Sequence, residues 1–293
     1  MDGVIVVDKP SGWTSHDVVN KMRRIAGTRR VGHLGTLDPV ATGVLPLVIG
    51  KATRLSQFFV KSDKRYEAVV YFGYATDTYD CEGTPLGEDQ PCQLDPGQVE
   101  TWLRRFQGVF EQVPPPVSAK KVGGRRAYEL ARRNIEVRLD PVEVHVYSID
   151  TVEIGGNTLR LRVHCSAGTY LRAIAHELGQ MAGCGAHLKS LVRLASGAFT
   201  IEQARTLPQL EALAAAGELH TALVSGADLL PEFPAERVDT ITANQIRQGR
   251  DFRVSPFRAS RGAKFVKALT QDGELIAIGE ARLANLYHPV LVL

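Results

Sequence analysis

The chain has little of several things whose absence is informative. Its 293 residues hold four cysteines, Cys81, Cys92, Cys165 and Cys184, with no C-x-x-C pair and no histidine at zinc spacing. That pattern excludes a disulfide scaffold, argues against a structural metal and predicts a reducing compartment, the cytoplasm. No stretch approaches the roughly 20 apolar residues of a membrane helix. The start, Met1-Asp2-Gly3, carries an acid where a signal peptide needs bases, so no membrane association is expected. There is no G-x-x-x-x-G-K-[ST] and no strand-linked G-x-G-x-x-G, so no nucleotide cofactor is expected. His176-Glu177 lacks zinc-protease spacing, and no serine sits in a G-x-S-x-G elbow.

What is present is a composition of 44% hydrophobic and 23% charged residues, that of an ordinary globular protein. The length suits one large domain with a small one attached. A net charge of +3, from 35 Lys and Arg against 32 Asp and Glu, conceals blocks. Residues 1–65 hold 11 basic and 5 acidic side chains, residues 66–100 hold 8 acids and no Lys or Arg, residues 104–138 hold 9 against 3, and residues 237–267 hold 8 against 2. Three basic blocks drawn from distant segments suit a groove for a phosphate backbone. Solvated faces would give the same counts.

Val4 to Val7 reads as a buried strand, stopped by Lys9-Pro10-Ser11-Gly12. Thr14 and Asp17 form a capping box for a helix with Val18, Val19, Met22, Ile25 and Ala26 on one face. Tyr66 to Tyr74, Val142 to Tyr147 and Leu159 to Cys165 alternate as strands, and Leu171, Ile174, Leu178 and Met181 mark a later helix. Elements mixed without βαβ alternation predict an α+β fold. Pro231 to Pro234 reads as a linker, and Asp272-Gly273 as the turn of a hairpin in a small β-rich tail.

Four segments can carry chemistry. In Gly32-His33-Leu34-Gly35-Thr36-Leu37-Asp38-Pro39-Val40-Ala41-Thr42-Gly43-Val44-Leu45-Pro46, a single carboxylate sits in an unusually apolar loop. Pro39 biases Asp38 towards an extended backbone, which presents the carboxylate. Asp-Pro is also a common turn dipeptide, and His33 alone is as readily structural. Lys64-Arg65-Tyr66 puts a ring beside two cations, able to stack on a base or to end a half-buried strand. Arg172, after Gly168-Thr169-Tyr170-Leu171, opens a helix at the end where the dipole favours anions, so a carboxylate partner is expected unless it is solvated. Gln112 to Tyr128 begins stiff with Pro114-Pro115-Pro116 and becomes basic and Gly-hinged through Lys120, Lys121, Arg125 and Arg126, reading as a mobile arm for a polyanion.

These residues closely resemble the bacterial tRNA pseudouridine-55 synthases, the TruB family. Gly32 to Pro46 is similar to its catalytic-aspartate motif, and Lys9 to Gly12 with Thr14-Ser15, Lys64 to Tyr66, Pro114 to Tyr128 and Gly168 to Arg172 match further family segments in order. The likeness spans residues 4–200. One departure is Val192, where relatives often carry a second arginine, so no RNA contact is assigned there. The resemblance implies a pseudouridine-synthase-like mixed, largely antiparallel sheet with flanking helices over residues 1–235. It also implies an RNA-clasping arm at about 112–140 and a PUA-like RNA-binding domain over 236–293. It makes Asp38 the catalytic carboxylate, Tyr66 the ring on the flipped uridine and a proton acceptor, and Arg172 the ionic partner of Asp38. His33, Lys9, Lys64, Tyr170, Lys120 and Arg125 become substrate or RNA contacts, with Lys9 and Lys64 also suited to loop support. The implied partner is the T stem-loop of tRNA, bound by a monomer without cofactor or metal. The alternative is a tRNA-binding or tRNA-folding module whose pocket is secondary.

Overall fold

The computed structural model describes residues 1–118, 139–255 and 263–293, together with the backbone of 121–122 and 125–126. Alternating apolar residues set the first sheet, whose main path runs Leu223–Ser225, Gly3–Lys9, Thr42–Ile49, Ala186–Ser196, Lys64–Phe72, Thr158–Cys165, Val142–Gly155 and Gly108–Gln112. Val31–His33 pairs with Thr42–Ile49 at one side of that path. All these pairings are antiparallel except that of Ala186–Ser196 with Thr42–Ile49, which is parallel. In Lys64–Phe72 the even residues Lys64, Tyr66, Ala68, Val70 and Phe72 are buried, the period of two that a half-buried strand requires.

Helices Ser15–Ile25, Pro96–Leu103 and Leu171–Ala182 cover the apolar face, their buried Val18, Met22, Val99, Leu103, Ile174 and Leu178 entering one core with Ile5, Leu45, Phe72 and Leu161. The capping box at Thr14 and Asp17 forms, with Asp17 N donating to Thr14 Oγ1 at 3.1 Å and Thr14 N to an Asp17 carboxylate oxygen at 3.0 Å.

A second, five-stranded sheet is ordered Ala235–Arg237, Phe265–Leu269, Leu275–Leu283, Leu286–Val292 and Phe252–Arg253, and the Asp272-Gly273 hairpin is present. In the expected linker at Pro231 to Pro234, Pro231 and Glu232 are exposed, but Phe233 is packed and the residues just before the segment are buried. Leu229 and Leu230 are buried, and the Phe233 ring meets those of Phe58 and Phe265 at centroid distances of 5.7 and 5.3 Å. Val4, Val6 and Val44 of the first sheet share an apolar cluster with Leu269, Leu275, Ile278 and Leu291 of the second. The prolines mark turns, but Leu229 and Leu230 before them and Phe233 between them gain by leaving water, at about 25 cal/mol per Å², which a loose tether would forgo.

Both ends of the basic segment are fixed, because Gly108–Gln112 pairs with Val142–Gly155. Lys120 and residues 127–133 lie outside the described residues, and Arg125 is described only as backbone paired with Val122.

Candidate active site

The Asp38 loop is held by groups from far along the chain. Ser15, buried at the helix start, donates from Oγ to Leu37 O at 3.0 Å and accepts from Leu37 N at 2.8 Å. Gly12 N and Lys9 Nζ donate to Pro39 O at 2.9 and 3.2 Å, and Ala41 N closes the turn on Asp38 O. Arg193, 1% exposed, donates to Val44 O at 2.7 Å, Gly35 O at 3.1 Å and Thr36 O at 3.2 Å. Every carbonyl from Gly35 to Pro39 thus has a donor, so the loop carrying Asp38 is preorganised before any ligand arrives. Gly43 makes the arrangement possible. Its φ is +94°, and a Cβ there would lie 2.4 Å from Arg193 O across the parallel pairing.

Arg172 closes the other side. Its Nε lies 3.0 Å from Asp38 Oδ2 as an ion pair whose N–H is not aligned on the oxygen. Its Nη1 donates to Thr78 O at 3.0 Å and lies 3.4 Å from Asp80 Oδ2, and its Nη2 donates to Val117 O at 2.9 Å. The side chain is 5% exposed against 38% for Asp38, so the guanidinium is structural and the carboxylate is presented. Tyr170, just before the helix, is fixed through its backbone by both ends of the Gln112 amide, at 2.8 and 3.1 Å.

These pieces enclose a cavity of about 390 Å³, lined by His33, Asp38, Lys64, Tyr66, Arg172 and Arg193 together with Ser166–Tyr170 and Leu191. That size falls in the range of small-ligand sites, about 300–1,000 Å³. Tyr66 lies opposite Arg193 in the strand register. Burial pushes its phenol above the ordinary tyrosine value, partly offset by the Arg193 guanidinium. The ring is therefore held as a phenol, suited to stacking, and only the arginine favours the phenolate that accepting a proton would require.

The sequence-predicted Asp38, Tyr66, Arg172, His33, Lys64 and Tyr170 converge on this one cavity. Lys9 does not line it. Fully buried beneath the loop, its ammonium donates to Pro10, Trp13 and Pro39 carbonyls, which makes it loop support. Two residues went unassigned in the sequence. Asp80, 4% exposed, is a second carboxylate on Arg172, hidden in the acid-only stretch. Arg193 has a readable signal, since it falls two residues after Leu191 on one strand and so occupies an apolar phase.

The architecture matches solved structures along almost its whole length. A structure described as a Cbf5-Nop10-Gar1 complex aligns over 99% of this chain and 84% of that chain, with TM-score 0.73 and 28% identity. One described as an H/ACA RNP bound to a substrate RNA containing 2'-deoxyuridine aligns over the same shares, with TM-score 0.73 and 26% identity. With the presented aspartate and its arginine, the class of protein is a pseudouridylate synthase. Residues 23–171 match the model of the TruB family pseudouridylate synthase (N terminal domain), and 172–227 that of the tRNA pseudouridylate synthase B C-terminal domain. A tRNA pseudouridine synthase B of Solibacter usitatus is 61% identical over 100% of both chains. One of Thermobifida fusca is 41% identical over 99% of this chain and 98% of its own. The chain belongs to the TruB family.

Proposed function

We propose that the protein isomerises uridine 55 in the T loop of tRNA to pseudouridine, with Asp38 as the reacting carboxylate. The observation that carries this reading is Asp38 itself, ion-paired to Arg172 and presented into a cavity that Tyr66 also lines. Relatives named tRNA pseudouridine synthase B support the substrate. Asp38 stands among the walls of the cavity, where a base still stacked in the RNA loop could not meet it, so the base must leave the stack.

The reaction breaks the N1–C1′ bond, turns the base and joins C5 to C1′. It consumes no water and changes no oxidation state, so its balance calls for neither metal nor redox cofactor. Asp38 can add to C1′ or C6, or take a ribose proton to give a glycal; each route begins with the carboxylate. Tyr66 packs on the flipped ring as a phenol, and it receives the C5 proton only in its phenolate form, the form that the Arg193 guanidinium favours against burial. His33 fills the gap that the extruded base leaves in the RNA loop, and Tyr170 shapes the opposite wall. Lys120 and Arg125 reach phosphates from the arm at about 112–140. Residues 1–235 act as the catalytic domain and 236–293 as a PUA-like RNA-binding domain, in a cytoplasmic monomer.

Tritium release from a T-arm minihelix labelled at C5 of the target uridine tests this. Asp38→Asn should bind the minihelix with wild-type affinity and release nothing. Release by that variant near the wild-type rate would sink the assignment. Tight binding without release by the wild type would instead favour a tRNA-folding module.

A further inference from the structure

Two buried lysines flank the Asp38 loop, and both are pushed down to about 8, burial being the largest cause in each. They are used differently. An ammonium has three donors. Lys9 places all three on backbone carbonyls and is sealed from the cavity. Lys64 is 7% exposed, lines the cavity and gives one donor to Ser62 O at 2.6 Å. Among the described residues no carboxylate stands within ion-pairing distance of it. Asp63, the nearest acid in the chain, is bonded by His164.

A buried cation without a counter-ion costs free energy unless something arrives to face it. Lys64 stands two residues before Tyr66 on one strand, so both side chains leave the same face of the sheet. Lys64 and Arg193 also converge on Gly35, where a Cβ would lie 3.6 Å from Lys64 Cε and 3.7 Å from Arg193 Nη1. The cation therefore belongs to the wall against which the base would pack. Lys64 is nearly closed off from solvent, whereas a phosphate of the RNA backbone keeps its own contact with water.

We propose that the Lys64 ammonium faces the detached pyrimidine and stabilises the uracil anion formed when the N1–C1′ bond breaks. This rests on the reading that the protein forms pseudouridine. In that step the bonding pair leaves with the base and spreads over N1, O2 and O4. The ammonium gives a hydrogen bond and a positive charge to this anion without transferring a proton. When C5 joins C1′ the charge disperses and the interaction relaxes, so the stabilisation is larger for the detached base than for bound uridine.

Lys64→Met keeps the side-chain length and removes the charge. In single-turnover tritium release at saturating enzyme it should lower the rate about 100-fold, the usual size for loss of one preorganised donor, with minihelix affinity unchanged. A phosphate contact would instead weaken binding, flatten its salt dependence and leave the rate alone. The pH profile gives a second readout. An ammonium held near 8 is lost as pH rises, so wild-type turnover should fall above pH 8. Lys64→Arg, slower but permanently charged, should remove that limb.

The other groups facing Lys64 are Arg193, Asp63 and Cys165, the thiol pushed up to about 11 by burial, with His164 behind Asp63 and the raised Tyr66 beside it. A Lys64→Met rate within threefold of wild type overturns the proposal. So does a limb that survives in Lys64→Arg while the near-ultraviolet circular dichroism stays constant across it, which sets aside loosening of the Asp38 loop by loss of the Lys9 charge. Should Lys64→Met fail to fold, by circular dichroism, the Lys64→Arg profile decides alone. Wild-type protein that releases no tritium would defeat the parent reading instead.

Discussion

The two sheets differ in how much of their positive charge they take out of water. The first sheet and the helix on it expose Arg65, Arg160, Arg162 and Lys189 but bury Lys9, Lys64, Arg172 and Arg193, whose donors go mainly to backbone carbonyls: those of Lys9 and Arg193 on and beside the Asp38 loop, those of Arg172 and Lys64 on Thr78, Val117 and Ser62. The second keeps Arg247, Arg250, Arg253 and Lys264 exposed, and of its described basic residues it buries Lys267, whose Nζ donates to Ala227 and Leu229 carbonyls at 2.7 and 2.8 Å. A buried guanidinium fixes the backbone it touches, while an exposed one remains free to attract phosphate. Equal charge blocks in the sequence therefore stand for two different jobs. Loss of a buried cation should change rate or stability without touching salt dependence, and loss of exposed ones should do the reverse.

The largest effect should come from Arg193→Met. Removing it leaves the carbonyls of Gly35, Thr36 and Val44 without their donor in a buried site and takes the cation from beside Tyr66. Breaking a buried charged network of this kind costs about 3–5 kcal/mol, so urea unfolding should shift its midpoint with an unchanged slope. Turnover should fall even below the transition. A variant as stable and active as the wild type would show that the loop holds its shape unaided, and the contrast between the sheets would fail.

Next in size is Asp80→Asn. The amide is close to isosteric but removes one of the two carboxylates that orient Arg172. Arg172 should then drift from Asp38, lowering turnover by about 10- to 100-fold with minihelix affinity and salt slope unchanged, since a misplaced group costs rate steeply. Weaker binding at an unchanged rate would place Asp80 with the RNA-facing surface instead.

Much of this was legible before the structure. The capping box, the alternating strands and the hairpin follow from local rules, and they appear where the residues put them. The Asp38 loop was legible because glycines and prolines in an apolar loop mark a shaped turn. Of its partners, Arg172 and Lys9 were expected through the family likeness, while Ser15, Arg193 and the second hold on Arg172 were not. Ser15 reaches Leu37 across 22 residues, Arg172 reaches Thr78 across 94, and Arg193 reaches Gly35 across 158. Such contacts leave no period in the sequence. Asp80 was hidden for the same reason: inside an acidic run nothing local distinguishes the one carboxylate that meets an arginine. The Pro231 to Pro234 segment misled because proline reports backbone shape, not burial.

The smallest effect separates the sheets most cleanly. Arg247 and Arg250 close the helix Thr240–Arg247 and the turn after it, both exposed, with Arg247 giving only a 3.3 Å bond to Asn244. Changing both to Ala removes charge without opening the core, so the melting temperature should stay near the wild-type value. If these cations meet phosphates of full-length tRNA, affinity should fall severalfold, and the slope of log K against log salt should flatten by about 0.9 for each contact on duplex RNA, taking the B-DNA coefficient as the guide. Single-turnover rate at saturation should not move. A T-arm minihelix too short to reach the second sheet should bind the double variant as it binds the wild type. A drop in the saturated rate, with binding intact, would mean that the second sheet acts on the chemistry, and the division drawn between positioning and attracting cations would have to be given up.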